Sequence, residues 1–167
     1  MIHHSPRRLT RLDLSTGAER DLARLETGAV LDVDAAAGDR WLALLWGRPD
    51  RTMGIYAVPI GDSAATERDL VPLVEGPAWL GCPRWSADGS RLYSLSYQDG
   101  FSCIWTRRVD RASGRPVGEA VPALHLHRTE QVLYPRGMGS IAVTADRIIF
   151  NAAEVSGNIW QAQLDAK

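Results

Sequence analysis

Two histidines separated by one residue, His125 and His127, are the clearest opening for chemistry in this chain. An extended segment puts residues i and i+2 on one side, so both imidazoles could serve a metal ion. No third ligand stands at a meaningful spacing, and the pair lies in a polar connection. It therefore reads as a solvated loop, and no metal or other cofactor is expected. His3 and His4 sit at the N-terminus and read as disordered. Cys82 and Cys103 are too few for a disulfide framework. They fall on the first and third strands of one predicted sheet, which sets them about 9–10 Å apart. A disulfide needs Cα atoms within about 7 Å. Both read as small buried apolar thiols without ligands nearby for a metal.

Asp88, Asp99 and Asp146 are candidate acids, but each sits in a turn pattern where Asp bonds its own downstream backbone. Of the six tryptophans, Trp85, Trp105 and Trp160 recur within a repeat and read as packing residues. Trp46 and Trp79 fall outside the best repeat positions, which makes them the candidates for a ligand contact at a rim or channel. Arg107, Arg108 and Arg111 read as a solvated outer edge. No Gly-x-Ser-x-Gly elbow, phosphate loop, HExxH or CxxC occurs, and kinase signatures are missing, so no catalytic residue is assigned and the chain is not expected to be an enzyme.

The elements that carry these residues are strands. At 167 residues, 45% apolar with a net charge of −1, the chain suits one globular domain. Disorder is excluded by the apolar content, and the charge argues against nucleic acid as a partner. No apolar run is long enough to cross a bilayer as a helix, and residues 1–9 show no apolar leader core. Only 20–25 and 35–37 have helix-forming content. Elsewhere apolar runs of about five to eight residues, rich in β-branched and aromatic types, alternate with Gly, Asp, Pro and Ser.

Three segments repeat one plan. The clearest reads Pro83-Arg84-Trp85-Ser86-Ala87-Asp88-Gly89, then Arg91-Leu92-Tyr93-Ser94-Leu95, Asp99-Gly100 and Ile104-Trp105. A later copy reads Ile141-Ala142-Val143-Thr144-Ala145-Asp146, Arg147-Ile148-Ile149-Phe150 and Ser156-Gly157-Asn158-Ile159-Trp160. A weaker earlier copy has Arg40-Trp41-Leu42-Ala43-Leu44 and Gly54-Ile55-Tyr56. The pairs Ile55-Tyr56, Ile104-Trp105 and Ile159-Trp160 stand 49 and 55 residues apart. The Asp-Gly steps suit tight hairpins. A fourth strand fits 68–74 and 116–124. Such a unit is one four-stranded blade of a β-propeller.

The Trp-Ser-x-Asp-Gly turn followed by a Gly-x-x-x-Ile-Trp strand resembles the WD40-like (TolB-type, PD40) propeller repeat of bacteria. The expected fold is all-β, a propeller fragment of about three to three and a half blades. Residues 1–27 are expected to form a partial blade or N-terminal strands, two in number, 28–75 a blade, 76–137 a blade plus connection, and 138–167 a last, three-stranded blade lacking its outer strand. The chain is expected to be the C-terminal half of a larger propeller, or a short product that closes by self-association through its open edges. Asp88, Gly89, Asp146 and Gly157 complete the structural repeat. The resemblance implies a non-catalytic binding module for a protein, peptide or small ligand, through loops at 49–52 and 76–81. Its alternative is the regulatory or sensor segment of a larger enzyme, a membrane-anchored serine/threonine kinase or a prolyl-oligopeptidase-type peptidase. The residues assign no compartment, and the resemblance admits an extracytoplasmic parent.

Overall fold

The computed structural model describes residues 1–36, 38, 40–127, 131–133, 141–154 and 157. Three strands, β1 (Ile2–Ser5), β2 (Arg8–Leu12) and β3 (Glu19–Arg24), form an N-terminal sheet in that order. A second sheet runs β4 (Ala29–Ala35), β5 (Trp41–Gly47), β6 (Met53–Pro59), β7 (Val71–Gly76). A third runs β8 (Leu80–Trp85), β9 (Arg91–Ser96), β10 (Cys103–Val109), β11 (Pro116–Leu124). Then come β12 (Gln131–Leu133), β13 (Ile141–Val143), β14 (Ile148–Phe150) and β15 (Ala152–Glu154), with β13 paired to β14 and β12 to β15. Among the described residues every ladder between these strands is antiparallel, and one isolated parallel bridge joins Ala23 to Ala65. Among the described residues the helical content is one 3₁₀ turn, Glu67–Asp69.

The sheets stack face to face, and the alternation within β5 shows why. Leu42, Leu44 and Trp46 face the N-terminal sheet and pack with Leu9, Leu22 and Leu25. Ala43 and Leu45 face the other way and pack with Leu80, Trp85 and Leu92 of the third sheet. A strand with both faces covered reads as a continuous apolar run, and β5 does: WLALLWG. A third, smaller core joins Leu95 and Ile104 to Ile141 of β13. The first strands β4, β8 and β13 lie beside one another. Arg84 ties them: its Nη1 donates to Asp32 Oδ2 at 3.0 Å and its Nε to the Ile141 carbonyl at 3.2 Å. The Trp85 amide donates to Asp34 Oδ2 at 2.7 Å. Burial pushes the Asp34 carboxyl above its ordinary value, against the pull of that amide and of Arg84.

Four expectations change. The N-terminal sheet has three strands, not two, and its last one forms from the helix-prone segment 20–25 because Leu22 and Ala23 are buried between sheets. His3 and His4 are held in β1, opposite Thr10 and Leu9. The strand expected at 68–74 begins later, since Thr66 and Asp69 close a capping box around the 3₁₀ turn. The last region pairs β12 with β15, which no repeat foretold. The strand expected at Ile159 and Trp160 lies outside the described residues.

Candidate functional site

The corner where β9 turns into β10, and where β11 ends, gathers four side chains. Asp99 lies in the β9–β10 turn, whose Gly100 takes a φ of 85° and donates its amide to the Tyr97 carbonyl at 2.9 Å. Only glycine adopts that conformation without strain. Cys103 opens β10 and is fully buried. The register sets Ile104 opposite Leu124, so the next residue, His125, arrives beside Cys103. The Cys103 Sγ lies 3.8 Å from His125 Nδ1. That nitrogen is 2.8 Å from His127 Nε2, which is 2.9 Å from Asp99 Oδ2; His125 Nδ1 to the same oxygen is 3.3 Å. All four ligand atoms lie within 4.8 Å of one another.

Aromatic rings flank the pair of imidazoles. Phe101 stacks on His127 with centroids 4.4 Å apart, and Trp105 meets His125 edge-on at 5.6 Å. The histidine side chains are 40% and 44% exposed, so one side of the cluster faces solvent. Burial raises Asp99, but hydrogen bonds from His127 and the Phe101 amide outweigh it and hold the carboxyl below its ordinary value. Burial pushes the Cys103 thiol up, and the Asp99 charge adds to that. A thiol so placed is a poor nucleophile. Convergent N, S and O atoms are of the type that could hold a transition metal.

The expectation that the histidine pair has no further ligand, and that Cys103 has none near it, is thus corrected. The missing partners stand 22 and 28 residues away in sequence and meet only through strand register. Asp99 does make the expected turn bond, accepting from the Phe101 amide at 3.2 Å, but through Oδ1. Its other oxygen serves the histidines. Neither cysteine is in a disulfide, and β9 lies between their strands.

The matching corner of the β4–β7 sheet is closed by its own charges. Arg48 donates to the Tyr56 hydroxyl and to Glu75 Oε1, and Tyr56 donates to Glu75 at 2.6 Å. The guanidinium also lies 5.8 Å from the Trp46 ring centre and 5.4 Å from that of Tyr56. Trp46 was expected at a rim, and this corrects it: it is a core residue whose Nε1 donates to the Thr27 carbonyl at 3.2 Å. Trp79 is half-buried, edge-on to Tyr97 and close over Gly81. The loops at 49–52 and 76–81 sit at the same strand ends as the cluster. In the first, Asp50 accepts from the Thr52 amide at 2.9 Å.

Trp85 is buried between sheets and Trp105 is half-buried. Neither indole N–H has a partner among the described residues. Asp88 accepts from the Ser86 and Ser90 hydroxyls and the Ser90 amide, which hold it well below the usual carboxylate range, beside Gly89 at φ 70°. Asp146 departs from that turn scheme, pairing with the Thr144 hydroxyl and the Arg147 guanidinium at 3.1 Å each. Gly157 is exposed, and Trp160 lies outside the described residues. Arg107 is no solvated edge: its Nη1 donates to the Leu73 carbonyl at 2.7 Å, joining two sheets.

No protein-family model matches the chain, and no curated protein matches it. Among solved structures it is similar to the crystal structure of the tricorn protease, a β-propeller-containing protease, with a TM-score of 0.59 at 15% identity. The superposition covers 92% of this chain and 18% of that one. At that identity the likeness concerns fold alone: an all-β, propeller-like stack of antiparallel sheets.

Proposed function

We propose that the chain is a section of a β-propeller acting as a non-catalytic binding module. It offers its strand-end loops at 49–52 and 76–81 to a protein, peptide or small ligand. The supporting observation is the stacking of two complete four-stranded sheets whose first strands lie side by side and whose loops gather at one end. Loops held on a rigid scaffold are where such folds place function. The Trp85-Ser86-Ala87-Asp88-Gly89 repeat supports placing the propeller in the WD40-like, TolB-type group. A second reading, the regulatory segment of a peptidase, draws on the protease named among the similar structures, of which this chain spans 18%. Exposed Ile149 and Phe150 on the short β14 support association with further blades or a second copy. The test is selection of a displayed peptide library on the purified chain, and on a variant with 49–52 and 76–78 replaced by Gly and Ser. Enriched peptides should bind the parent chain, stay uncleaved and lose binding to the variant. Peptides that bind both equally, or no enrichment at all, would refute the reading.

A further inference from the structure

The Asp99, Cys103, His125 and His127 corner lies at the same strand ends as the proposed loop contacts, but its donor set rests on its own geometry. Asp99 Oδ2, His127 Nε2 and His125 Nδ1 form a nearly equilateral triangle of 2.8, 2.9 and 3.3 Å. Hydrogen bonds serve a triangle poorly, because each imidazole nitrogen carries at most one proton and directs it along one line. A cation near the centre satisfies every vertex at once. Tetrahedral zinc, with Zn–N of about 2.0–2.1 Å, sets neighbouring donor atoms about 3.3 Å apart, and somewhat more when one donor is sulfur. The observed edges, including 3.8 Å from Sγ to Nδ1, bracket those values.

We propose that these four residues bind one zinc-class divalent cation in a tetrahedral site. Two imidazoles and a thiolate select against calcium and magnesium, which want oxygen donors. The charges close: one thiolate and one carboxylate neutralise a divalent ion, which suits a site with a fully buried Cys103. Binding breaks the S–H bond of Cys103 and forms the metal–sulfur bond, and the released proton goes to solvent. His125 ligates through Nδ1 and so keeps its proton on Nε2; His127 ligates through Nε2 and keeps its proton on Nδ1. Phe101 and Trp105 hold the two ring planes. Four protein ligands leave no open position, so the site is structural. It pins the β9–β10 turn and the segment after β11 to the start of β10.

The test is titration of the metal-free chain with cobalt(II), read in the visible and near-ultraviolet. One equivalent should give the intense bands of tetrahedral cobalt with a thiolate charge-transfer band. Cys103→Ser should abolish the charge-transfer band, and His127→Ala should weaken affinity by about 100-fold or more, beyond the 10–100-fold typical of supporting residues. Cys82→Ser and the double variant His3→Ala, His4→Ala should leave both spectrum and affinity unchanged. A charge-transfer band that survives Cys103→Ser, or that vanishes with Cys82→Ser, would overturn the proposal. Should a ligand variant fail to fold, X-ray absorption on the zinc-loaded parent chain decides: one sulfur at about 2.3 Å supports the site, and a shell with no sulfur refutes it.

Discussion

Arg48 and Asp99 both sit in the turn joining the second and third strands of a four-stranded sheet. Around Arg48, a hydroxyl, a carboxylate and two aromatic rings converge on one guanidinium. Around Asp99, two imidazoles and a thiol converge, and among the described residues no Lys or Arg side chain pairs with that carboxylate. The first corner carries its own cation. The second presents donor atoms to one from outside. The same sheet geometry thus makes either a closed structural network or a ligand set, and the choice lies in which residue occupies the turn.

The comparison depends on the stack that holds both corners, so the largest effect should come from its core. Leu44→Ala, in the fully buried centre of β5, should cost about 2–5 kcal/mol in urea denaturation. An unchanged midpoint would mean the sheets do not pack as described. Next come two glycines in one kind of turn. Gly17 and Gly114 have φ of 71° and 67°, and each amide bonds back to an Asp carbonyl at 2.8 Å. A Cβ on Gly17 meets nothing, whereas one on Gly114 comes within 2.7 Å of the Trp41 ring. Both alanine variants should lose about 1–2 kcal/mol to backbone strain, and Gly114→Ala should lose more. Equal losses would deny the contact between the third sheet's hairpin and Trp41 of the second.

Tyr56→Phe should be milder, about 1 kcal/mol, since it deletes a buried hydroxyl while Arg48 and Glu75 still pair. It should not change cobalt binding at the other corner, and a shift there would mean that the two corners are coupled. Asp34→Asn is the smallest expected effect and depends on pH. Folding raises the Asp34 pKa, so the native state holds this proton more tightly than the unfolded chain. The stability it lends is present below its ordinary value near pH 4 and is lost as pH rises through the native value. Asparagine can still accept the Trp85 amide, so the variant should gain on the parent chain across that window and then level off. A difference that is flat with pH would contradict the buried carboxylate.

The middle of the fold was legible because its signals are local. Asp88-Gly89 marks a hairpin, and the β5 run spans two covered faces. The N-terminal sheet was harder to read. β1 is exposed along most of its length, so its pairing leaves no apolar pattern. The turn it shares a sheet with did leave one: Asp13-Leu14-Ser15-Thr16-Gly17 matches Asp110-Arg111-Ala112-Ser113-Gly114, each Asp accepting from a hydroxyl two or three residues on. That match identifies β2–β3 with β10–β11, and hence β1–β3 with the last three strands of a blade. Trp46 misled because a repeat position says nothing about which face a neighbouring sheet covers. The four-residue cluster was beyond local reading, because Cys103 and His125 meet only through the Ile104–Leu124 register.

The contrast between the two corners is tested most directly by amide hydrogen exchange on the purified chain, with zinc and with a chelator. Zinc should slow exchange at Gly100, Phe101 and the segment 125–127, and leave Arg48, Arg51 and Thr52 unchanged. Equal protection of both corners, or none at either, would contradict the account.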